Sequence, residues 1–397
     1  MYTIKGKYNE CIVYSDTYDA AMTGQLYAVM NQESVKGSSV RIMPDCHAGK
    51  GCVIGTTMTI SDKVIPNLVG ADIGCGMTAV RLKLSRGVEF EKLDSFIRRN
   101  VPSGRATAAK KLRSCGFLKE LICRVNIEEA ERTLGSLGGG NHFIELDRDS
   151  GGDFWLIVHS GSRKLGTVVN RHYQDLAYEA LKEKRAGASL KELTGGKTAK
   201  EIAAIKTEFN RPPEVPYELA FLEGENRLAY MHDVLLTQDY AAANRETIAE
   251  MIMSAMKWKE AERIETVHNY IGTLSDGTYV VRKGAVSAKK DELLIIPMNM
   301  RDGVLLCRGK GNPDWNESAP HGAGRRLSRK DAKETLSMDE YREGMKGIYS
   351  SSVARSTLDE SPMAYKPMEE ILASIGDTVE VTDILKPVYN FKAGGEE

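Results

Sequence analysis

One histidine, His321, lies in a run of small residues between Asn312 and Arg329. A neutral imidazole is a nitrogen nucleophile at physiological pH, and the phosphoramidate that it forms can pass its phosphoryl group on. Gly322 and Gly324 leave room for a bulky phosphate ester beside the ring. Planar cations suited to phosphate oxygens follow: Arg325, Arg326 and Arg329. The segment indicates a site for nucleotides or nucleic-acid ends; the alternative is a glycine-rich turn that holds a structural histidine.

A second set of residues has the chemistry of metal ligands. Asp72 and Cys75 are three positions apart in a glycine-rich turn, and three histidines occupy Asn-, Ser- or Gly-rich segments: His142, His159 and His268. A thiolate can bridge two ions, and a mixed oxygen, nitrogen and sulfur set suits Mn²⁺, Zn²⁺ or Co²⁺. The spacing matches no zinc-finger interval, so any one of these histidines could instead be a hydrogen-bonded core residue.

The segment around Asp45, Cys46 and His47 adds three more polar groups near a predicted strand. We interpret Asp45 and His47 as groups that orient the ligands or the nucleophile. Cys46 is interpreted as a small buried residue beside the site.

These residues must be brought together by elements spread along the chain. Alternation and β-branched residues predict strands at 53–60, 77–84, 137–146, 155–158, 279–282, 293–297, 304–306 and 388–391. Helical periodicity predicts helices at 94–100, 107–121, 168–181, 198–208, 217–238, 240–257, 328–335 and 368–375. We therefore expect an α+β fold with mixed sheets around a central metal cleft. Residues 1–397 would form a single catalytic domain, with 167–263 as a mainly helical block on its outside.

Composition limits the choice of function. The 397 residues are 42% hydrophobic and 27% charged, with a net charge of −1, so any nucleic-acid contact requires a local basic patch. The Lys/Arg-rich stretch 182–200 is a candidate surface, although such stretches are usually solvated helix faces. The chain has no apolar run of 18 residues, and its first residues, Met1 to Lys7, have no apolar core, so we expect neither a membrane span nor a secretory signal. Seven cysteines without a Cys-x-x-Cys pair favour a reducing, cytoplasmic location.

Taken together, the segments from residue 43 to 392 resemble, in order, the RtcB family of GTP- and Mn²⁺-dependent RNA ligases. The resemblance implies that two Mn²⁺ ions are held, with Cys75 between them, by Asp72, Cys75, His142, His159 and His268. It implies that His321 becomes guanylylated and that Arg163 and Arg325 act in catalysis. The residues implied in nucleotide binding are Asn141, Glu145, Asn299, Tyr365 and Lys392.

One loop departs from the family pattern. Family members commonly carry Pro-Gly-Ser-Met-Gly, whereas this chain reads Pro-Met-Asn-Met-Arg-Asp-Gly at 297–303. Asn299 can still donate and accept hydrogen bonds in place of the serine. Met298 and Arg301 replace both glycines, which suggests a divergent subgroup whose RNA substrate differs from split tRNA.

The resemblance predicts an enzyme that joins RNA 2′,3′-cyclic phosphate or 3′-phosphate ends to 5′-hydroxyl ends, through guanylylated His321 and an RNA(3′)pp(5′)G intermediate. The setting would be tRNA splicing or RNA repair, with an archease-like activator as a candidate partner and no membrane. One alternative is a metal-dependent guanylyltransferase that caps or repairs RNA 3′-phosphate ends, such as those of ribosomal RNA, without general ligation. Another is a non-catalytic protein that binds RNA ends.

Overall fold

The computed structural model describes residues 1–16 and 19–393. Within that part of the chain the α-helices are α1 (Ala20–Met30), α2 (Phe90–Asn100), α3 (Ile127–Thr133), α4 (Arg163–Ala186), α5 (Leu190–Thr194), α6 (Ala199–Phe209), α7 (Gly224–Met256), α8 (Arg329–Thr335), α9 (Met338–Gly344) and α10 (Met368–Ser374).

The first strands are β1 (Tyr2–Lys5), β2 (Glu10–Val13), β3 (Val40–His47), β4 (Ile54–Thr59), β5 (Lys63–Val64), β6 (Gly76–Lys83), β7 (Phe143–Arg148), β8 (Phe154–Ser160) and β9 (Leu222–Glu223). The strands after α7 are β10 (Lys259–Val267), β11 (Asn269–Thr273), β12 (Tyr279–Lys283), β13 (Ala285–Ser287), β14 (Leu293–Asn299), β15 (Gly303–Gly309), β16 (Ser318–Pro320) and β17 (Val379–Lys392). Helices and largely antiparallel sheets together make an α+β fold, as expected.

Two large sheets form the frame. The first is mixed, in the order β1-β2-β3-β4-β12-β11, with β2 and β3 parallel. The second is antiparallel throughout, in the order β10-β6-β8-β7-β17-β15-β14. Since β10 of the second sheet continues directly into β11 of the first, the two sheets meet at the residue between them, His268.

The seven-stranded sheet buries apolar residues on both faces, because alternate side chains of each strand point to opposite sides. One face packs against α2 and α7 through residues such as Val80, Ile144 and Leu156. The other face encloses Ile157, Ile295 and Val304. A sheet that is covered on both sides can hold polar side chains in a buried position, provided that those side chains have partners.

Helix α7 is the longest element, with 33 residues, and it packs against β6 and β8 behind the second sheet. It replaces two helices predicted at 217–238 and 240–257, because no helix-breaking residue separates those segments. Residues 217–219 form a short 3₁₀ turn instead. Two shorter helices on the outside, α5 and α6, each begin with a capping box, Ser189 with Glu192 and Thr198 with Glu201.

The helix predicted at 107–121 is wrong. The segment is an irregular loop that ends in a 3₁₀ turn at Gly116–Glu120. Hydrogen bonds to α3 stabilise this loop: the Cys115 backbone N–H and the Ser114 hydroxyl both donate to Glu131. Tertiary hydrogen bonds to a neighbouring helix therefore override a local helical pattern. Among the described residues no helix combines the length and apolar character required to cross a bilayer.

Candidate active site

The five predicted metal-ligand side chains meet at one point. Cys75 Sγ lies 3.3 Å from His142 Nε2 and 3.4 Å from His159 Nε2. His268 Nε2 is 3.5 Å from His159 Nε2, and Asp72 Oδ2 is 3.1 Å from His142 Nε2. Residues that are far apart in sequence thus form one compact set of oxygen, nitrogen and sulfur donors.

Paired strands deliver these side chains. In the ladder between β6 and β8, Met77 lies opposite His159, so Cys75, just before β6, comes beside the end of β8. The backbone N–H of His268 donates to the Cys75 carbonyl at 2.9 Å. A side chain at Gly161 would overlap the Asp72 carboxylate, which explains the glycine at that position.

A buried arginine on α7 holds this arrangement from behind. The Arg245 guanidinium donates to the carbonyls of Gly74 at 2.8 Å and Ser160 at 3.1 Å, one residue from Cys75 and His159 respectively. It also pairs with Glu265 of β10 at 3.2 Å. Gly74 has φ +75°, and a side chain there would collide with the backbone of α7 at Gln238. One cation therefore ties two ligand-bearing segments to the same helix.

The histidine rings are oriented to bind a cation. The Leu137 carbonyl lies 2.9 Å from His142 Nδ1, and the Asn141 carbonyl lies 3.2 Å from His159 Nδ1. Since a carbonyl only accepts, these Nδ1 atoms carry the proton and the Nε2 atoms turn toward Cys75. Burial, reinforced by neighbouring imidazoles, lowers the pKa of His159 and of His268 well below its usual value. Neutral imidazoles are the form that binds metal.

The ionised state of Asp72 also favours metal binding. Burial raises the pKa of Asp72, but hydrogen bonds to His142 and Cys75 outweigh it, and the pKa falls to about 2. An ionised carboxylate, a thiol and three imidazoles form a mixed donor set that suits a divalent transition metal. Cys75, His142 and His159 alone bring their ligand atoms within 4.8 Å of one another. The residues therefore fit a divalent metal centre.

His321 lies next to this cluster, in the wall of a cavity of about 310 Å³. Its ring packs edge to face against His268, with centroids 4.9 Å apart. Its Nδ1 is 2.6 Å from the buried carboxylate Oδ2 of Asp45, an ion-pair distance, although the ring is not aligned for a linear hydrogen bond. A carboxylate beside Nδ1 favours a proton on that atom, which leaves the Nε2 lone pair as the nucleophile.

The loop that carries His321 approaches β3 very closely. Gly324 has φ +72°, and a side chain there would overlap the backbone of Asp45. The His321 backbone N–H donates to Asp45 Oδ2 at 3.2 Å. Asp45 therefore fixes both the main chain and the ring of His321, and the glycine run serves loop packing as well as access. His47 lies two residues further along β3 and also lines the cavity.

All five residues predicted to bind the nucleotide line the same cavity as His321: Asn141, Glu145, Asn299, Tyr365 and Lys392. In the altered loop, Asn299 accepts from the N–H groups of Arg301 and Asp302, both at 3.0 Å. Its amide donates to the Asp302 carboxylate at 2.7 Å. The loop is therefore closed by Asn299 itself, and Met298 and Met300 are buried in apolar clusters.

The predicted arginines are divided between two places. Arg325 lines the cavity with Arg329 and stacks over Tyr365, with its guanidinium carbon 5.2 Å from the ring centroid. Arg163 is not among the residues that line it; its guanidinium donates to the Gly104 carbonyl at 2.7 Å and presses against Gly138. Arg326 is exposed and is also absent from the cavity lining. Arg163 thus packs against Gly138, in the segment that leads to His142.

A buried carboxylate that no sequence pattern indicated, Glu360, organises the cations of the cavity. It pairs with Arg325 at 3.2 Å, with Arg329 at 2.6 Å and with Lys392. Burial raises the pKa of Glu360, but Lys392 and Arg329 outweigh it and hold the pKa at about 2. The Tyr365 hydroxyl donates to the same carboxylate at 2.6 Å. An acidic residue followed by Ser and Pro is a common turn sequence, so only the fold reveals this role.

Comparison with known proteins identifies the family of this chain. The family model "tRNA-splicing ligase RtcB" matches residues 25–127 and 119–393. The RNA-splicing ligase RtcB of Escherichia coli K12 is 31% identical over 392 aligned residues, which cover 89% of this chain and 90% of the relative. The tRNA-splicing ligase RtcB of Aeropyrum pernix is 26% identical, with 83% of this chain and 82% of the relative covered.

Proposed function

The chain belongs to the RtcB family, and we propose that it is a GTP- and Mn²⁺-dependent RNA ligase. Its substrates would be RNA ends that carry a 2′,3′-cyclic phosphate or 3′-phosphate and RNA ends that carry a 5′-hydroxyl. The observation that carries the proposal is the position of His321: its Nδ1 is beside Asp45, its ring is against His268, and it lines the cavity.

The first step is guanylylation of His321. The Nε2 lone pair attacks the α-phosphorus of GTP, an N–P bond forms, and the bond from the α-phosphorus to the pyrophosphate oxygen breaks. The ring gains positive charge as the N–P bond forms, and Asp45 next to Nδ1 stabilises that charge. Asn141 and Lys392 both line the cavity. By the resemblance, Asn141 would contact the nucleotide phosphate and Lys392 would lie near the base and ribose during this step.

The next steps transfer GMP to RNA and then release it. Water first opens any 2′,3′-cyclic phosphate to a 3′-phosphate. An oxygen of that phosphate attacks the phosphorus on His321, so the N–P bond breaks and RNA(3′)pp(5′)G forms. The 5′-hydroxyl of the second RNA then attacks the RNA phosphorus, loses its proton, and expels GMP. This activation is required because a phosphate monoester has no good leaving group.

The metal would be held by the cluster described above: Asp72, Cys75, His142, His159 and His268. When bound, Mn²⁺ supplies positive charge that neutralises phosphate oxygens. The chain's own contribution is to present neutral imidazoles and an ionised Asp72 in fixed positions next to His321.

Covalent labelling tests the proposal. Protein incubated with MnCl₂ and GTP labelled at the α-phosphate should acquire acid-labile, base-stable label on His321, identified by peptide mass spectrometry. His321→Ala should abolish the label and keep its bound metal, because His321 is the nucleophile and not a predicted ligand. His172→Ala, at an exposed position on α4, is the matched control and should label normally. Label on a lysine would refute the assignment.

Capping of 3′-phosphate ends without ligation is the second candidate, and the loop at 297–303 favours it. Two of its residues line the cavity as larger side chains than the family pattern carries there: Met298 and Asn299. A chase of the labelled protein with RNA bearing a 3′-phosphate separates the two functions. A joined product after addition of a 5′-hydroxyl RNA supports ligation, whereas accumulation of RNA(3′)pp(5′)G supports capping.

A further inference from the structure

Two acidic side chains lie on one face of β7, at the floor of the nucleotide cavity. Glu145 and Asp147 are two residues apart on the strand, so their side chains point the same way. Glu145 is 2% exposed and lines the cavity, while Asp147 is fully buried. Glu145 Oε2 accepts a hydrogen bond from the amide of Asn390. Oε1 of Glu145 and both carboxylate oxygens of Asp147 have no ordinary hydrogen-bond donor in the described part of the chain.

The surroundings offer little positive charge to this pair. The side chains opposite it on the flanking strands are Trp155 and Ile157 of β8 and Pro387 and Asn390 of β17. Lys392, further along β17, is the cation that acts on Glu145. Two ionised carboxylates cannot be held side by side in such a place, so the pair must share a proton.

The proton is held unequally. Burial and then the charge of Glu145 raise the pKa of Asp147 well above its usual value. Burial raises the pKa of Glu145 to about 7, while Asp147, Asn390 and Lys392 lower it. Glu145 has two groups that favour its ionised form, and Asp147 has none. The hydrogen bond within the pair therefore runs from a protonated Asp147 to an ionised Glu145.

We propose that Asp147 is a positioning residue for the nucleotide base, because its carboxyl O–H donates to Glu145 Oε1 and keeps Glu145 an acceptor. This inference rests on the proposed function of the cavity as the GTP site. An ionised Glu145 selects a base edge that presents N–H donors, such as N1–H and N2–H of guanine. A protonated Glu145 would carry an O–H and would tolerate an acceptor, such as N1 of adenine. Asp147 would therefore contribute to base selection without touching the nucleotide.

Nucleotide binding by the full-length protein tests this role without turnover. Calorimetric titration with the α,β-methylene analogues of GTP and ATP, which cannot guanylylate His321, should show wild-type preference for the GTP analogue near pH 8. That preference should weaken several-fold near pH 6, where Glu145 becomes protonated in addition to Asp147. Binding of the GTP analogue near pH 6 should then release protons, because the analogue selects the ionised form of Glu145. Buffers of different ionisation enthalpy report the proton release directly.

Two variants separate a donor from a packing residue. Asp147→Asn retains a donor toward Glu145, so binding of the GTP analogue should match wild type near pH 8 and weaken as wild type does near pH 6, because burial still raises the pKa of Glu145. Asp147→Val fills similar space without a donor and should weaken binding of the GTP analogue about tenfold. Equal binding by wild type and both variants across this pH range would overturn the proposal. So would unchanged binding of the GTP analogue by Glu145→Gln.

A spectroscopic measurement on the wild-type protein keeps the proposal testable if a variant fails to fold. Infrared spectroscopy should detect a protonated carboxyl C=O band that persists near pH 8, where isolated carboxyls are ionised. Absence of that band would also overturn the proposal. Failure of the proposed function has a different signature, since absence of GMP transfer to His321 would leave the band in place.

Discussion

The two ends of the cavity differ in whether their polar side chains are already paired with an opposite charge. At the metal end, Cys75, His142, His159 and His268 place Sγ and Nε2 atoms within about hydrogen-bond distance of one another, with no cationic side chain among them. At the other end, each cation is already paired: Arg325, Arg329 and Lys392 all contact one carboxylate, Glu360. The metal end is a set of ligand atoms with no cationic side chain among them, whereas the Glu360 end is a set of ion pairs.

The difference shows two ways to prepare a site for a charged ligand. Side chains that converge without a counter-charge bind a cation directly, because the cation removes their mutual repulsion. Cations fixed by a buried carboxylate are held in place before the phosphates arrive, at the expense of some of their attraction for an anion. Substitutions at the first end should therefore abolish ligand binding, whereas substitutions at the second should first affect stability and geometry.

Cys75→Ser should produce the largest effect. A neutral hydroxyl is a far weaker ligand than a thiolate, so we expect at least about 100-fold lower Mn²⁺ affinity and a parallel loss of GMP labelling. Elemental analysis measures the metal, and circular dichroism checks the fold. Cys307→Ser, a buried cysteine of β15 outside the cluster, is the control and should keep its metal. Unchanged metal content in Cys75→Ser would show that Cys75 is only a core residue.

Glu360→Gln tests the other end. The folded pKa of Glu360, about 2, is lower than the unfolded value near 4.3. Its carboxylate therefore stabilises the fold above the unfolded pKa, and that stabilisation is lost as pH falls through about 2. We expect Glu360→Gln to lower the free energy of unfolding by about 3 kcal/mol at neutral pH, because it removes the carboxylate partner of the buried Lys392 and of Arg325.

Thermal unfolding at several pH values measures this effect. The difference between wild type and Glu360→Gln should shrink as the pH is lowered below the unfolded pKa, since the unfolded chain then binds a proton at Glu360 that the folded protein does not bind until about pH 2. Glu334→Gln, an exposed residue of the neighbouring groove, should change stability very little. If both variants behave alike, Glu360 does not organise the cations.

The smallest effect concerns RNA affinity. Arg326 is exposed, whereas Arg329 is already paired with Asp359 and Glu360. Arg326→Ala should therefore flatten the log–log dependence of RNA affinity on salt by up to about 0.7, and Arg329→Ala by less. Filter binding over a range of salt concentrations measures the slope. A change in slope with Lys200→Ala instead would indicate that RNA binds at the helical block.

The sequence was informative about the site because its residues are chemically unusual and lie near strand ends. His142, His159 and His268 could be selected from their Gly-, Asn- or Ser-rich neighbours, and His321 from its glycine run. Glu360 and Asp147 could not be selected, because a carboxylate acquires its role from the cations and burial that the fold provides. The position of Arg163 outside the cavity lining also depends on tertiary packing, which no local pattern encodes.

Element types were predictable where the apolar pattern was strong, as in α4 and in β4, β6 and β8. The helix predicted at 107–121 failed because Glu131, on α3, captures the backbone of that segment. The strand predicted at 388–391 proved to be the end of a 14-residue strand, β17, that joins β7 to β15. Its first half carries charged residues, so its length follows from its position between two other strands.

Arg245 has a consequence for engineering. Because this arginine fastens the segments before β6 and at the end of β8 to α7, the metal-binding half of the molecule is braced independently of the wall formed by 297–303 and by Tyr365. A library that varies that wall to accept another nucleotide can therefore be screened without loosening the ligands. Conversely, second-site suppressors of a damaged metal centre should map to α7, around the buried Arg245.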